Sequence, residues 1–68
     1  MLDRRNRKLI GEVGHRKLHQ EEIHQPDGTW TTIYEGEIYM DVQGVRIKTP
    51  DDPAWHSEAE ARAWLTQG

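Results

Sequence analysis

Two turn signals in the middle of this chain, Pro26-Asp27-Gly28 and Gln43-Gly44, bracket a run that alternates in character for about a dozen residues. Proline presets the first central position of a type I turn, and a glycine in the left-handed region closes a three-residue hairpin loop. Such a loop pairs Gln25 with Thr29. Counting outward, Ile23 faces Thr31, Glu21 faces Ile33, His19 faces Glu35 and Lys17 faces Glu37. Gln43-Gly44, taken as a two-residue loop, pairs Val42 with Val45, Asp41 with Arg46, Met40 with Ile47 and Tyr39 with Lys48. These registers bring Val to Val, Met to Ile and Asp to Arg, pairs that contribute roughly 0.2–1 kcal/mol each and that a one-residue slip would scramble.

The expected fold is therefore α+β. It is a three-stranded antiparallel β-meander, four-stranded if Leu9, Ile10 and Val13 add a strand, packed against one C-terminal α-helix. The central strand runs from Trp30 to Val42, with Gly36 at its middle as the expected place of a bulge or bend. One parity gives an inner face of Trp30, Tyr34, Ile38, Met40, Val42, Val45 and Ile47. Residues 49–56 form a connector in which Asp52 caps a single turn. Ser57-Glu58-Ala59-Glu60 then has the pattern of a capping box, opening a helix over 57–67 with Ala61, Trp64 and Leu65 on one stripe. A helix this short is marginal alone and must bury that stripe on the sheet.

At 68 residues this is a single small domain, and a chain of that size buries only ~60% of its unfolded surface. It has no cysteine, so neither a disulfide nor thiol chemistry is available. No apolar run approaches the ~20 residues of a membrane span, and the charged start lacks the apolar segment of a signal peptide. A cytoplasmic protein without membrane contact is expected. The formal charge of −3 is uneven: residues 1–18 carry +4 and residues 19–68 carry −7. Residues 1–8 are read as a flexible basic arm.

Four groupings bear on function. His15, His19 and His24 lie close in sequence. On a helix the first two would have metal-ligand spacing, but the hairpin register places them on a strand, so no metal site is assigned. Glu35 and Glu37 share a face, yet acid–base catalysis needs a concave, desolvated pocket, and opposite them stand His19 and Lys17. No catalytic residue and no cofactor are assigned, and a non-enzyme is expected. Arg4, Arg5, Arg7 and Lys8 suit nucleic-acid phosphates. A three-stranded meander followed by a helix also resembles, in topology, the small DNA-binding domains of the integrase type. That resemblance implies DNA reading by the open face of the sheet. Here that face carries Glu21, Glu35, Glu37 and Asp41, so nucleic-acid contact would fall to the arm.

The same outer face holds Ile23, Thr31, Ile33 and Tyr39 among its charges. An apolar strip with a charged rim calls for a cover, either the Leu9–Val13 segment or a partner. The leading expectation is a small non-catalytic binding protein, accessory or regulatory, resembling such proteins of bacteria or their phages. It contacts another protein, or itself as a homodimer, through Ile23, Ile33 and Tyr39 with Glu35, Glu37 and Asp41 as the rim. The alternative is a nucleic-acid-binding regulator that uses residues 4–8.

Overall fold

The computed structural model describes residues 3–67. Strands β1 (Arg4–Val13), β2 (Arg16–His24), β3 (Trp30–Val42) and β4 (Val45–Lys48) form an antiparallel meander in that order. A short β5 (Ala54–Trp55) pairs with Tyr34 and Glu35 of β3, and α1 (Glu58–Gln67) closes the chain. The meander thus has four strands, with β5 as a fifth member of the sheet.

Both hairpin registers follow from their turns. The β2–β3 ladder runs from Arg16↔Ile38 to His24↔Trp30, and the amide of Gln25 donates to Thr29 across the loop at 2.7 Å. Gly28 takes φ +91°, a value that costs other residues a Cβ clash, while the Asp27 carboxylate holds the Thr29 amide at 2.9 Å. The β3–β4 ladder pairs Tyr39↔Lys48, Met40↔Ile47, Asp41↔Arg46 and Val42↔Val45, around Gln43 and Gly44, both at positive φ as a type I′ turn requires.

The first strand departs from expectation. Arg4, Arg5, Arg7 and Lys8, expected in an arm, lie in β1, which pairs with β2 through Arg4↔Ile23, Lys8↔Gln20 and Val13↔Arg16. Register shifts at Arg5/Lys8 and Leu9/Gly11 interrupt the ladder, and Asn6 adopts φ 57° at the first of them. Met1 and Leu2, part of that expected arm, lie outside the described residues. The turn that makes β1 possible is Gly14-His15, a two-residue loop with glycine at φ +58°. Leu9, Ile10 and Val13 consequently lengthen the sheet sideways and do not fold across its outer face.

Helix α1 lies on the face that holds the even-numbered residues of β2 and β3. Its Ala61 and Leu65 bury against Leu18, with Ile10, Tyr34, Trp55 and Trp64 around them. Two glycines let it approach. A Cβ on Gly36 would stand 2.6 Å from the Trp64 ring, and one on Gly11 would stand 2.6 Å from Leu65 Cδ2. The Gly36 ladder is unbroken, pairing with Leu18, so the expected bulge is absent and this glycine provides a seat for an indole. Ser57 Oγ accepts from the Glu60 amide at 3.3 Å, which realises one half of the expected capping box. The helix has no basic residue in its last turn, and Arg16 supplies one from β2 by donating to the Trp64 carbonyl at 2.5 Å. Asp52 caps no turn; its carboxylate receives Lys48 Nζ at 2.5 Å while Ala54 and Trp55 join the sheet.

The inner face is only partly covered. Met40, Val42, Val45 and Ile47, expected inside, are 50, 40, 59 and 44% exposed. The cause is length. A strand of 13 residues spans about 43 Å at ~3.3 Å per residue, whereas a helix of ten spans only ~15 Å. The molecule measures 46 × 25 × 16 Å, and the β3–β4 hairpin runs on beyond the reach of α1.

Candidate functional site: two faces of the sheet

The outer face carries the odd-numbered residues of β2 and β3. Here the structure assembles a charge cluster. Arg4 Nη1 reaches Glu21 at 3.3 Å and both Glu35 oxygens at 3.0 and 3.1 Å. Arg7 Nη1 reaches Glu21 at 3.0 Å and Glu35 at 3.2 Å, and its second nitrogen lies 3.9 Å from Glu37. Glu37 takes His19 Nε2 at 2.6 Å. Two arginines of β1 therefore bridge three carboxylates on β2 and β3.

The electrostatics follow from the crowding. Glu21 and Glu35 are diagonal neighbours on one face, and Glu21 is only 4% exposed. Like charges this close resist double ionisation, and the pair divides. The Glu21 carboxyl is held below its usual range, first by its hydrogen-bonding contact with Glu35 and then by Arg7 and Arg4. The Glu35 carboxyl is pushed above its usual range, first by burial and then by Glu21, with Arg4 pulling the other way. The same carboxylates raise the Arg4 guanidinium, Glu35 foremost.

The apolar residues expected to be anchors share this face but differ in availability. Ile33 is 7% exposed and belongs to the interior. Ile23 is half-buried opposite Arg4 and Thr31. Tyr39 lies between two cations, Lys17 Nζ at 4.9 Å and the Arg46 guanidinium at 5.2 Å from its ring centre. Of the expected rim, Glu35 and Glu37 are engaged as described, and Asp41 is exposed opposite Arg46. Arg46 itself turns to the Gly14 carbonyl at 3.2 Å and to Glu12 at 3.9 Å.

The four basic residues near the start are divided between the faces. Arg4 and Arg7 lie on the outer cluster. Arg5 stacks on the Trp30 ring at 3.8 Å and pairs with Glu22 at 3.1 Å on the helix side. Lys8 lines a shallow open groove with Asn6, Arg7, Gln20, Glu22 and Thr32. The three histidines also separate: His15 is in the β1–β2 turn, His19 is on Glu37, and His24 is stacked on Trp30 at 4.6 Å. No group of three or more potential metal ligands forms among the described residues. No helix of the described chain is long and apolar enough to cross a membrane.

The inner face of the β3–β4 hairpin is different in kind. Met40↔Ile47 and Val42↔Val45 are cross-strand pairs whose four side chains project to the helix side. Val13, 43% exposed, lies on the same side two strands away, opposite Arg16 and next to the row of Ile38. The charged members of the hairpin, Asp41, Arg46 and Lys48, have the opposite parity and face outward. The four hairpin side chains thus make an uncharged shelf beyond α1, and Val13 is set apart from them by Arg16 on the same face. The alternation in the sequence contained this surface, but equal alternation elsewhere in β3 is covered, and only the reach of the helix distinguishes the two.

Compared with protein-family models, with curated proteins and with solved structures, the chain matches none.

Proposed function

We propose that this protein is a non-catalytic binding module that works by protein–protein contact, and that its contact surface is the inner face of the β3–β4 hairpin. One observation carries the proposal: Met40, Val42, Val45 and Ile47 stand together, 40–59% exposed, on a small chain with only four buried apolar residues among those described. A chain that leaves more large aliphatic side chains in water than it buries gives up stability it needs, unless something covers them. The outer face, proposed from sequence as the contact surface, is the weaker candidate because Ile33 is interior and Glu35 and Glu37 hold internal partners. The nucleic-acid alternative is weakened in the same way, since Arg4, Arg5 and Arg7 each hold carboxylates of this chain.

Site-specific photo-crosslinking tests the proposal. A photoreactive residue at position 45 should yield protein adducts, and one at position 39, on the opposite face, should yield few. Adducts at 39 in preference to 45, or at neither position, would sink the hairpin-face assignment.

A further inference from the structure

The shelf needs an occupant, and its chemistry is specific enough to choose one. We infer that a second copy of this chain docks there, hairpin face against hairpin face, in a two-fold symmetric dimer. This rests on the reading of the hairpin face as a contact surface and specifies its partner.

Charge gives the first argument. A two-fold interface brings the same patch of both copies together, so a patch without charge meets another without charge and buries no unpaired ion, even between two chains of like net charge. The inner hairpin face carries none: Met40, Val42, Val45 and Ile47 are all neutral, although 31% of the chain is charged and its net charge is −3. Asp41, Arg46 and Lys48 lie on the far side of the same two strands. A surface built for a strongly acidic or basic partner would place one of these inward.

Depth gives the second. Helix α1 stands on this face of the sheet and forms a layer about 10 Å thick. Sheets stacked face to face are also spaced by ~10 Å. The hairpin of a second copy therefore fits in the layer that α1 already occupies, beside it. By symmetry the first hairpin does the same on the second copy.

The open edges favour face packing over strand addition. The edge strand β4 has only four residues and carries Arg46 and Lys48, while β1 carries Arg4, Arg5, Arg7 and Lys8 and is interrupted at Asn6. Short length, cationic side chains and irregularities are the devices that block edge-to-edge pairing.

Area sets the expected strength. At their observed exposures, Met40, Val42, Val45 and Ile47 leave roughly 350 Å² open on each copy, about the size of the largest apolar patch on a typical monomer. A standard interface buries ~800 Å² per partner, so this patch alone makes an interface of the small, weak class. A dimer of that size exchanges with monomer in a concentration-dependent way.

The test is sedimentation equilibrium of the purified chain, with amide spectra recorded over the same dilution series. The parent should dimerise, and the shifts that move with dilution should cluster at residues 38–47. The double variant Val45→Thr and Ile47→Thr keeps β-branched shape and strand propensity, and it should weaken dimerisation at least tenfold. A dimer unaffected by that variant, or dilution shifts confined to the outer face, would overturn the inference. If the variant unfolds, Met40→Gln alone, at an exposed position, must still weaken the dimer for the inference to stand. A parent that stays monomeric at every concentration also overturns it. Adducts from position 45 with a different protein would then leave the hairpin-face reading intact, and their absence would remove both.

Discussion

Alanine at position 36 isolates the packing decision on which the fold turns. The added methyl carbon would stand 2.6, 2.7 and 3.0 Å from three atoms of the Trp64 ring. Carbon atoms prefer ~3.5–4.0 Å, so the indole would have to withdraw by about 1 Å. It has little room to do so, because Trp55 packs at 5.1 Å on a tilted plane and the Arg16 guanidinium lies 4.8 Å over the ring. Overpacking of this kind costs ~1–3 kcal/mol. Position 36 is in a regular ladder, so alanine also recovers ~0.4–1 kcal/mol by restricting the unfolded chain. The net loss is then about 1–2 kcal/mol, which for a domain of this size lowers Tm by roughly 5–15 °C. Thermal unfolding followed by far-UV circular dichroism measures it, and near-UV spectra report the Trp55–Trp64 pair. Gly11→Ala is the control: it meets only the end of a flexible leucine, so its loss should be less than half as large. A Gly36→Ala protein as stable as the parent would refute the reasoning, because Trp64 would then not be seated on the strand.

Three further perturbations test other parts of the account. Removing the Ser57 hydroxyl with Ser57→Ala should cost ~1 kcal/mol through the lost N-cap, read from the urea midpoint, and no change would mean that the 3.3 Å bond to Glu60 contributes nothing. Raising salt should speed amide exchange in residues 4–9 more than in β2 or β3, because Arg4 and Arg7 hold β1 through partly exposed ion pairs; uniform exchange would mean that the ladder alone holds the strand. Glu35→Gln tests the divided carboxylate pair. Glu21, lowered on folding, lends stability that is present above the ordinary carboxylate range and is lost as pH falls through its folded value. Glu35, raised on folding, lends stability that is present at acid pH and is lost as pH rises through its folded value. The glutamine amide can still donate to the Glu21 carboxylate, as protonated Glu35 does. The slope of Glu21 is therefore kept while that of Glu35 is gone, and stability should climb with pH more steeply in the variant than in the parent. Parallel curves would contradict the assignment.

The hairpins were legible from residues alone because turn chemistry is local: Pro26-Asp27-Gly28 and Gln43-Gly44 each dictate a loop length, and loop length dictates register. The Ser57 cap and the Ala61–Leu65 stripe were legible for the same reason. Strand β1 was not. Its first half is held by Arg4 and Arg7 on Glu21 and Glu35, contacts 14–31 residues apart that no apolar periodicity records. The Gly14-His15 turn was the available signal, a glycine-first two-residue loop between Val13 and Arg16. Gly36 misled because a glycine within a strand fits both a bulge and a close approach, and the close approach depends on Trp64, 28 residues away. The candidate surface was half legible. Alternation placed Met40, Val42, Val45 and Ile47 on one face, but their exposure follows from comparing a 13-residue strand with a ten-residue helix.

The central claim is that the hairpin face, and not the outer face, is the apolar surface this protein presents to a partner. Methyl relaxation by a soluble paramagnetic probe measures that directly, residue by residue. In dilute protein, the methyls of Met40, Val42, Val45 and Ile47 should relax strongly, while those of Leu18, Ile33 and Leu65 stay protected. As concentration rises, the four hairpin residues should lose their enhancement together while Leu9, on the outer face, keeps its own. An Ile33 methyl as accessible as that of Ile47, or hairpin methyls that remain open at every concentration and with every captured partner, would contradict the account.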